Sequence, residues 1–177
     1  MDSGSIYLGS NPSLPAMSVN EMEKIKAKFL RLDLHPTYLE HEAVITSAEA
    51  AKTRGFELRQ GIKALLFTDK KDNFVIVNVP GDRQVDQNKV AVKMAWSKNS
   101  IRLATAEKAE EITGCQIGSV PPFGHRTSIP ILFDNTVFDN TISTFNIGLR
   151  THSVKIQTNE MRILFAEIGA LEGDFIK

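Results

Sequence analysis

The sequence predicts a mixed α/β domain, α+β in arrangement, on three observations. Short runs rich in Val, Ile and Phe are interspersed with helical patterns, without the regular strand–helix–strand repeat of a parallel fold. Thr and Ser caps open several helical patterns, and glycines close them. The chain has 177 residues, 42% of them hydrophobic, which is enough to bury one core.

Residues 1–17, rich in Ser, Gly and Pro, read as a flexible leader, and residues 18–177 as a single domain. Ser18-Val-Asn-Glu21 has the capping-box spacing and predicts a helix to about Leu32, with Met22, Ile25, Phe29 and Leu32 on one stripe. Thr46-Ser-Ala-Glu49 is a second capping box, opening a short helix that stops at Gly55. The runs 62–68 and 74–79 predict strands joined by the polar turn 69–73. Helices follow at about 86–96 and 105–113, the second capped by Thr105 and ended by Gly114. Strands are expected near 129–133, 144–148 and 152–157, then a helix from Thr158 to about Ile168.

Lys plus Arg and Asp plus Glu number 21 each, so the net charge is zero and a protein that coats nucleic acid nonspecifically is disfavoured. A local basic patch stays possible: Lys24, Lys28 and Arg31 on the first helix, with Lys52, Arg54 and Arg59, are candidate phosphate contacts. A lone cysteine, Cys115, excludes an internal disulfide, and the scattered histidines give no metal-ligand spacing, so no metal and no cofactor are expected. No apolar run reaches the length of a membrane span and no signal pattern opens the chain, which predicts a soluble protein of a reducing, cytoplasmic compartment.

Two features carry chemistry. Lys63 interrupts a strand that is apolar on both faces, so its ammonium belongs at the rim of a core or the floor of a pocket. The plainer reading is a strand-end lysine with its head in water. The second feature is the loop Gly118-Ser-Val-Pro-Pro-Phe-Gly-His-Arg126, where two prolines stiffen the backbone and two glycines permit turns. Taken alone, it is also an ordinary structural turn. Of the histidines, His41 and His125 have the ring chemistry of a base but read first as structural, and Cys115 reads as a buried small hydrophobe.

The order of these pieces resembles the YbaK/prolyl-tRNA-synthetase-associated family over roughly residues 38–168. The resemblance rests on Thr46-Ser-Ala-Glu-Ala-Ala51, Gly61-Ile-Lys-Ala-Leu-Leu66, Val79-Pro80, Leu-Ala-Thr-Ala-Glu at 103–107, and Thr113-Gly-Cys-Gln-Ile-Gly-Ser-Val-Pro-Pro-Phe-Gly124. It implies a mixed, mostly antiparallel sheet curled into a pseudo-barrel with surrounding helices. It also implies hydrolysis of the ester of mischarged aminoacyl-tRNA, of the Cys-tRNA(Pro) or Ala-tRNA(Pro) type. The tRNA acceptor end would be the partner, with prolyl-tRNA synthetase as a further candidate.

The family's lysine falls on Lys63, and its glycine–proline loop on Gly118 to Pro122, followed by Gly124. Pro121 stands where many members carry Ser, and Asn146 where alanine-removing members carry His. Gly148-Leu-Arg150 is similar to the Gly-Lys-Arg of the Cys-tRNA deacylase branch. The implied catalytic set is Lys63, Gly118 and Ser119, the loop residues giving main-chain N–H donors for an oxyanion. Pro121, Pro122, Gly124, Asn146, Gly148 and Arg150 are the implied substrate-binding set; parity along the late strands puts Arg150 and His152 on one face with Gly148 and Val154, which adds His152 to it. The alternative is a catalytically silent module that holds an aminoacyl or nucleotide-like ligand, or docks to a synthetase.

Overall fold

A computed structural model describes residues 13–43 and 46–177. The first element, α1 (Ser13–Arg31), begins inside the expected leader, and Ser18 lies within it rather than at its cap. Pro15 explains the difference: it falls in the first turn, where a helix has no use for the N–H that proline lacks. The rest of the leader, residues 1–12, lies outside the described residues.

After α1 come β1 (Thr37–Glu40) and α2 (Ser47–Arg54). The Thr46 box is as expected: Oγ1 accepts from the Glu49 N–H, the Glu49 carboxylate accepts from the Thr46 N–H, and Gly55 ends the helix at φ +70°. A 3₁₀ turn (Leu58–Gln60) leads into β2 (Ile62–Thr68), and the turn at 69–73 returns as β3 (Phe74–Pro80). Then follow α3 (Gln87–Met94), β4 (Arg102–Leu103), α4 (Ala106–Thr113), β5 (Ile131–Asp134), β6 (Ile142–Asn146), β7 (His152–Gln157), α5 (Thr158–Glu167) and β8 (Leu171–Gly173). Asp86 caps α3, and Thr105 caps α4, whose end Gly114 takes φ +76°.

The strands form two sheets rather than one. The first has order β1-β7-β6 and is antiparallel; the second has order β4-β2-β3-β5-β8 and is mixed, parallel at β3/β5 and β5/β8. A single parallel bridge, Gly61 to Thr144, joins them. The sheets do not close into a barrel, because β1, β4 and β8 have no strand partner on their outer sides among the described residues.

Period-two alternation explains how the larger sheet is covered. Phe67, Val75, Val77 and Val79, with Leu65 at the margin, face Val90 and Ala91 of α3. Leu66 and Ile76, with Ala64, face Ala109 of α4 and the loop residues Ile117 and Val120. The other sheet turns one face, with Phe145, Val154 and Ile156, to α1 and α5, which contribute Ile25, Phe29, Leu164 and Phe165 to the same core. Lys63 pairs with Val79 and shares the parity of Leu65 and Phe67, so it projects on the α3 face.

Candidate active site

The outer edge of β2 builds the site. β4 pairs with β2 only at Phe67 and Thr68, and β6 bridges it only at Gly61. Between those points the edge borders a cavity of about 320 Å³. Its floor is Gly61 to Leu65; Ala50 of α2 and Phe56 form one wall, Ile117, Gly118 and Val120 a second, and Thr144, Phe145 and Asn146 a third. Lys63 and the glycine–proline loop therefore meet across one cavity.

Lys63 is half-buried and forms no ion pair among the described residues. Burial lowers its pKa from the ordinary lysine value, and the carboxylate of Asp82 opposes that shift in part. An ammonium that the protein leaves underpaired in a cavity is available to an anion or a carbonyl oxygen.

The loop is held rigid by four contacts. Gly148 donates its N–H to Ser119 O (3.0 Å), and Arg150 Nε donates to Ile117 O (2.8 Å). His125 Nε2 bonds Pro121 O (2.7 Å), and the fully buried Asn78 donates Nδ2–H to Pro122 O (3.1 Å). Both proline carbonyls are thus captured by side chains. Phe123 is sealed in the core against Phe29 and Phe145. Gly124, at φ +78°, lies so close to α1 that a β-carbon there would stand 2.8 Å from Ile25 Cγ1.

These contacts reassign much of the expected set. Ser119 donates both its N–H (3.0 Å) and its hydroxyl (2.7 Å) to Gln116 O and is buried, so it offers no free donor. Among the described residues the Gly118 and Val120 N–H groups make no hydrogen bond, and both residues line the cavity. Pro121, Pro122, Gly124, Gly148 and Arg150 brace the loop from behind and do not line the cavity. His152 stands apart as well, bonded to Thr151 Oγ1 (2.7 Å). The expectation for Arg150 and His152 rested on strand parity, and a turn at 149–151 breaks that parity. Asn146 does line the cavity; its amide donates to Leu149 O (3.0 Å) and His152 O (3.3 Å), which leaves Oδ1 to accept.

Ala50, Phe56, Val120 and Thr144 belong to the site without having been singled out. Sequence signals lay near two of them: Thr46-Ser-Ala-Glu-Ala-Ala51 holds Ala50, and the loop 118–126 holds Val120. Thr144 is buried, and its hydroxyl finds no partner among the described residues. Burial pushes the Cys115 thiol up to about 12, so it is no nucleophile. No cluster of three or more His, Cys, Asp or Glu side chains suited to a metal occurs among the described residues. No helix among them is long and apolar enough to cross a membrane.

Burial also pushes His125 down to about 4, against the raising effect of its bond to Pro121 O. The folded state therefore holds this ring neutral where the unfolded chain, near 6.5, takes up a proton. Stability should be level above about pH 6.5, fall between about pH 6.5 and 4, and level off below. Thermal unfolding across that range should show the slope, and His125→Gln, which keeps a donor and cannot titrate, should reduce it.

The comparisons place the chain among tRNA-editing proteins. Residues 41–164 match the aminoacyl-tRNA editing domain family. The chain is 30% identical over 133 residues to the Multifunctional Ser/Thr-tRNA deacylase ProXp-y of Escherichia coli K12, covering 72% of this chain and 78% of that one. It is 31% identical over 121 residues to a proline–tRNA ligase of Bacillus cereus, covering 66% of this chain but only 21% of the ligase. A solved structure of a candidate trans-editing enzyme for prolyl tRNA synthetase superposes with a TM-score of 0.72 at 26% identity, covering 89% of this chain and 97% of the other. With the family match spanning well over half the sequence, the chain belongs to the aminoacyl-tRNA editing domain family, and its enzyme class is aminoacyl-tRNA deacylase.

Proposed function

We propose that the cavity beside β2 hydrolyses the ester between a wrongly attached amino acid and the 3′-terminal ribose of a tRNA. The observation that carries this reading is that the half-buried Lys63 and the residues of the unbonded Gly118 and Val120 N–H groups line one cavity at the β2 edge. Water adds to the ester carbonyl carbon, and the carbonyl oxygen gains negative charge. Fixed N–H donors stabilise that charge without reorganising, and in acyl transfer such stabilisation usually accelerates the reaction more than any other single effect. Lys63 holds the terminal phosphate or the carbonyl oxygen. The carbon–oxygen bond to the ribose then breaks, and the 3′-oxygen leaves with a proton. The ribose 2′-hydroxyl sits beside the ester and serves as proton relay, which accounts for a site without a nucleophilic side chain.

Ala50, Phe56, Leu65, Ile117, Val120 and Phe145 give the cavity mostly apolar walls, and its volume suits a small side chain. Asn146 Oδ1 and the Thr144 hydroxyl add polar partners for the amino or hydroxyl group of a substrate. The motifs pointed to Cys or Ala on tRNA(Pro), whereas the named Escherichia coli relative points to Ser and Thr. We take the substrates to be small aminoacyl groups within that set of four. Residues 18–177 serve this one site in the cytoplasm, in trans to prolyl-tRNA synthetase.

Incubation with tRNAs charged with Ser, Thr, Ala, Cys and, as a bulky control, Phe tests the reading. Release of at least one small amino acid, at least about tenfold faster than Phe, is expected, since each misfitting group costs a kcal/mol or more. Tight binding with no release from any of the five would establish the silent-module alternative instead.

A further inference from the structure

We infer that the α3 face of the larger sheet, around Lys93 and Lys98, docks the phosphate backbone of the RNA whose 3′ end enters the cavity. The inference rests on the proposed function and adds a second contact surface to it. Residues 87–106 carry Lys89, Lys93, Lys98 and Arg102 and no acidic residue, a strong local excess in a chain of zero net charge. The fold gathers Lys89, Lys93 and Lys98 around one groove between α3 and the end of β8. Lys89 is already spent, because its ammonium bonds Asp174 (2.8 Å) and Ile176 O (2.7 Å). Lys93 and Lys98 are exposed and form no ion pair among the described residues, and Arg102 bonds only the Ser100 carbonyl, at 3.5 Å.

Of the six basic residues first considered on α1 and nearby, three are committed. Lys24 pairs with Glu21, Arg31 with Glu167, and Arg59 with Glu57 and Asn140. Lys28 and Lys52 form no ion pair among the described residues, whereas Lys93 and Lys98 share one groove.

Position makes the groove useful. Lys63 projects on the same face of the sheet that α3 covers. β8 lies three strand spacings from β2, roughly 14 Å. A strand ending at Lys63 crosses that distance in a few nucleotides and meets Lys93 and Lys98 on the way out. Exposed lysines on flexible stems suit phosphates, which need charge rather than fixed geometry. An acidic protein surface would also be attracted; the proposed function, which brings a tRNA 3′ end to the cavity, is what favours the RNA.

The test compares the full chain with the Lys93→Ala/Lys98→Ala double variant. Uncharged tRNA binding is measured by fluorescence anisotropy between about 50 and 200 mM salt. Loss of two phosphate contacts should weaken binding several-fold at low salt and flatten the slope of log K against log salt by about 1.4 to 1.8. Hydrolysis of a 3′-aminoacyl adenosine, which lacks the strand, should be unchanged. Equal affinity and slope in the two proteins, while the parent chain still deacylates charged tRNA, would overturn the docking surface and leave the activity standing. A parent chain inactive on every charged tRNA would instead remove the proposed function. Weakened binding of polyglutamate with unaltered tRNA binding would assign the groove to an acidic protein and also overturn the inference.

Discussion

Lys63→Met is expected to lower the deacylation rate by at least about 10²-fold, comparable to losing one charge-stabilising donor in an acyl-transfer site. The substitution keeps the length and apolar stem of lysine and removes only the ammonium, which has no ion-pair partner to disturb. It should not harm the fold. Burial already disfavours the charged form here, so the melting temperature should hold or rise while activity disappears. The sign of the pH effect follows. With its folded pKa lowered, Lys63 loses its proton at a lower pH than an unperturbed lysine, so the rate should decline early on the alkaline side. Stability moves the other way, gaining as pH rises through the interval where the unfolded chain holds more protons. A methionine variant with half the original rate would show that the ammonium has no part in the reaction.

Phe123→Ala is expected to destabilise the protein by about 3 to 5 kcal/mol. Phe123 is fully buried and meets Phe29 at 5.5 Å and Phe145 at 6.3 Å between ring centroids, both edge-on. Truncation opens a void where the loop, α1 and β6 converge, and none of the three can collapse into it without giving up its own contacts. For a chain of this size the melting temperature should fall by roughly 6 to 20 °C. Calorimetry would measure it directly; a fall of less than about 2 °C would mean that the loop is not anchored through this ring. Activity at low temperature should also drop, because Phe123 follows the braced prolines and Gly118 loses its position with them.

What could be read from residues alone was whatever depends on near neighbours in sequence. The caps at Thr46 and Thr105 and the stops at Gly55 and Gly114 are local hydrogen-bond patterns, and they were legible. So was the β2–β3 hairpin, whose β-branched runs flank a polar turn. Strands β1, β4 and β8 were not, since each has two to four residues and exists only because a distant ladder accepts it. Within the site, Lys63 stood out because a charge interrupts an apolar strand. Ser119 was misjudged because the destination of a main-chain N–H is invisible in sequence, and Gln116 takes this one. Phe56 and Thr144 carry no local mark; tertiary juxtaposition alone makes them walls.

The lone bridge between Gly61 and Thr144 has a wider meaning. The two sheets share one apolar cluster, in which Ile62 and Phe133 of the larger pack with Phe145 and Val154 of the smaller, and the chamber opens beside the bridge. Its width is then governed by the bulk of side chains behind its walls, such as Phe123 and Leu66, as much as by groups that touch a ligand. Relatives built on this plan have a route to new amino-acid preferences that leaves the reacting groups untouched: thicken or thin the filling of one layer, and the gap opens or narrows.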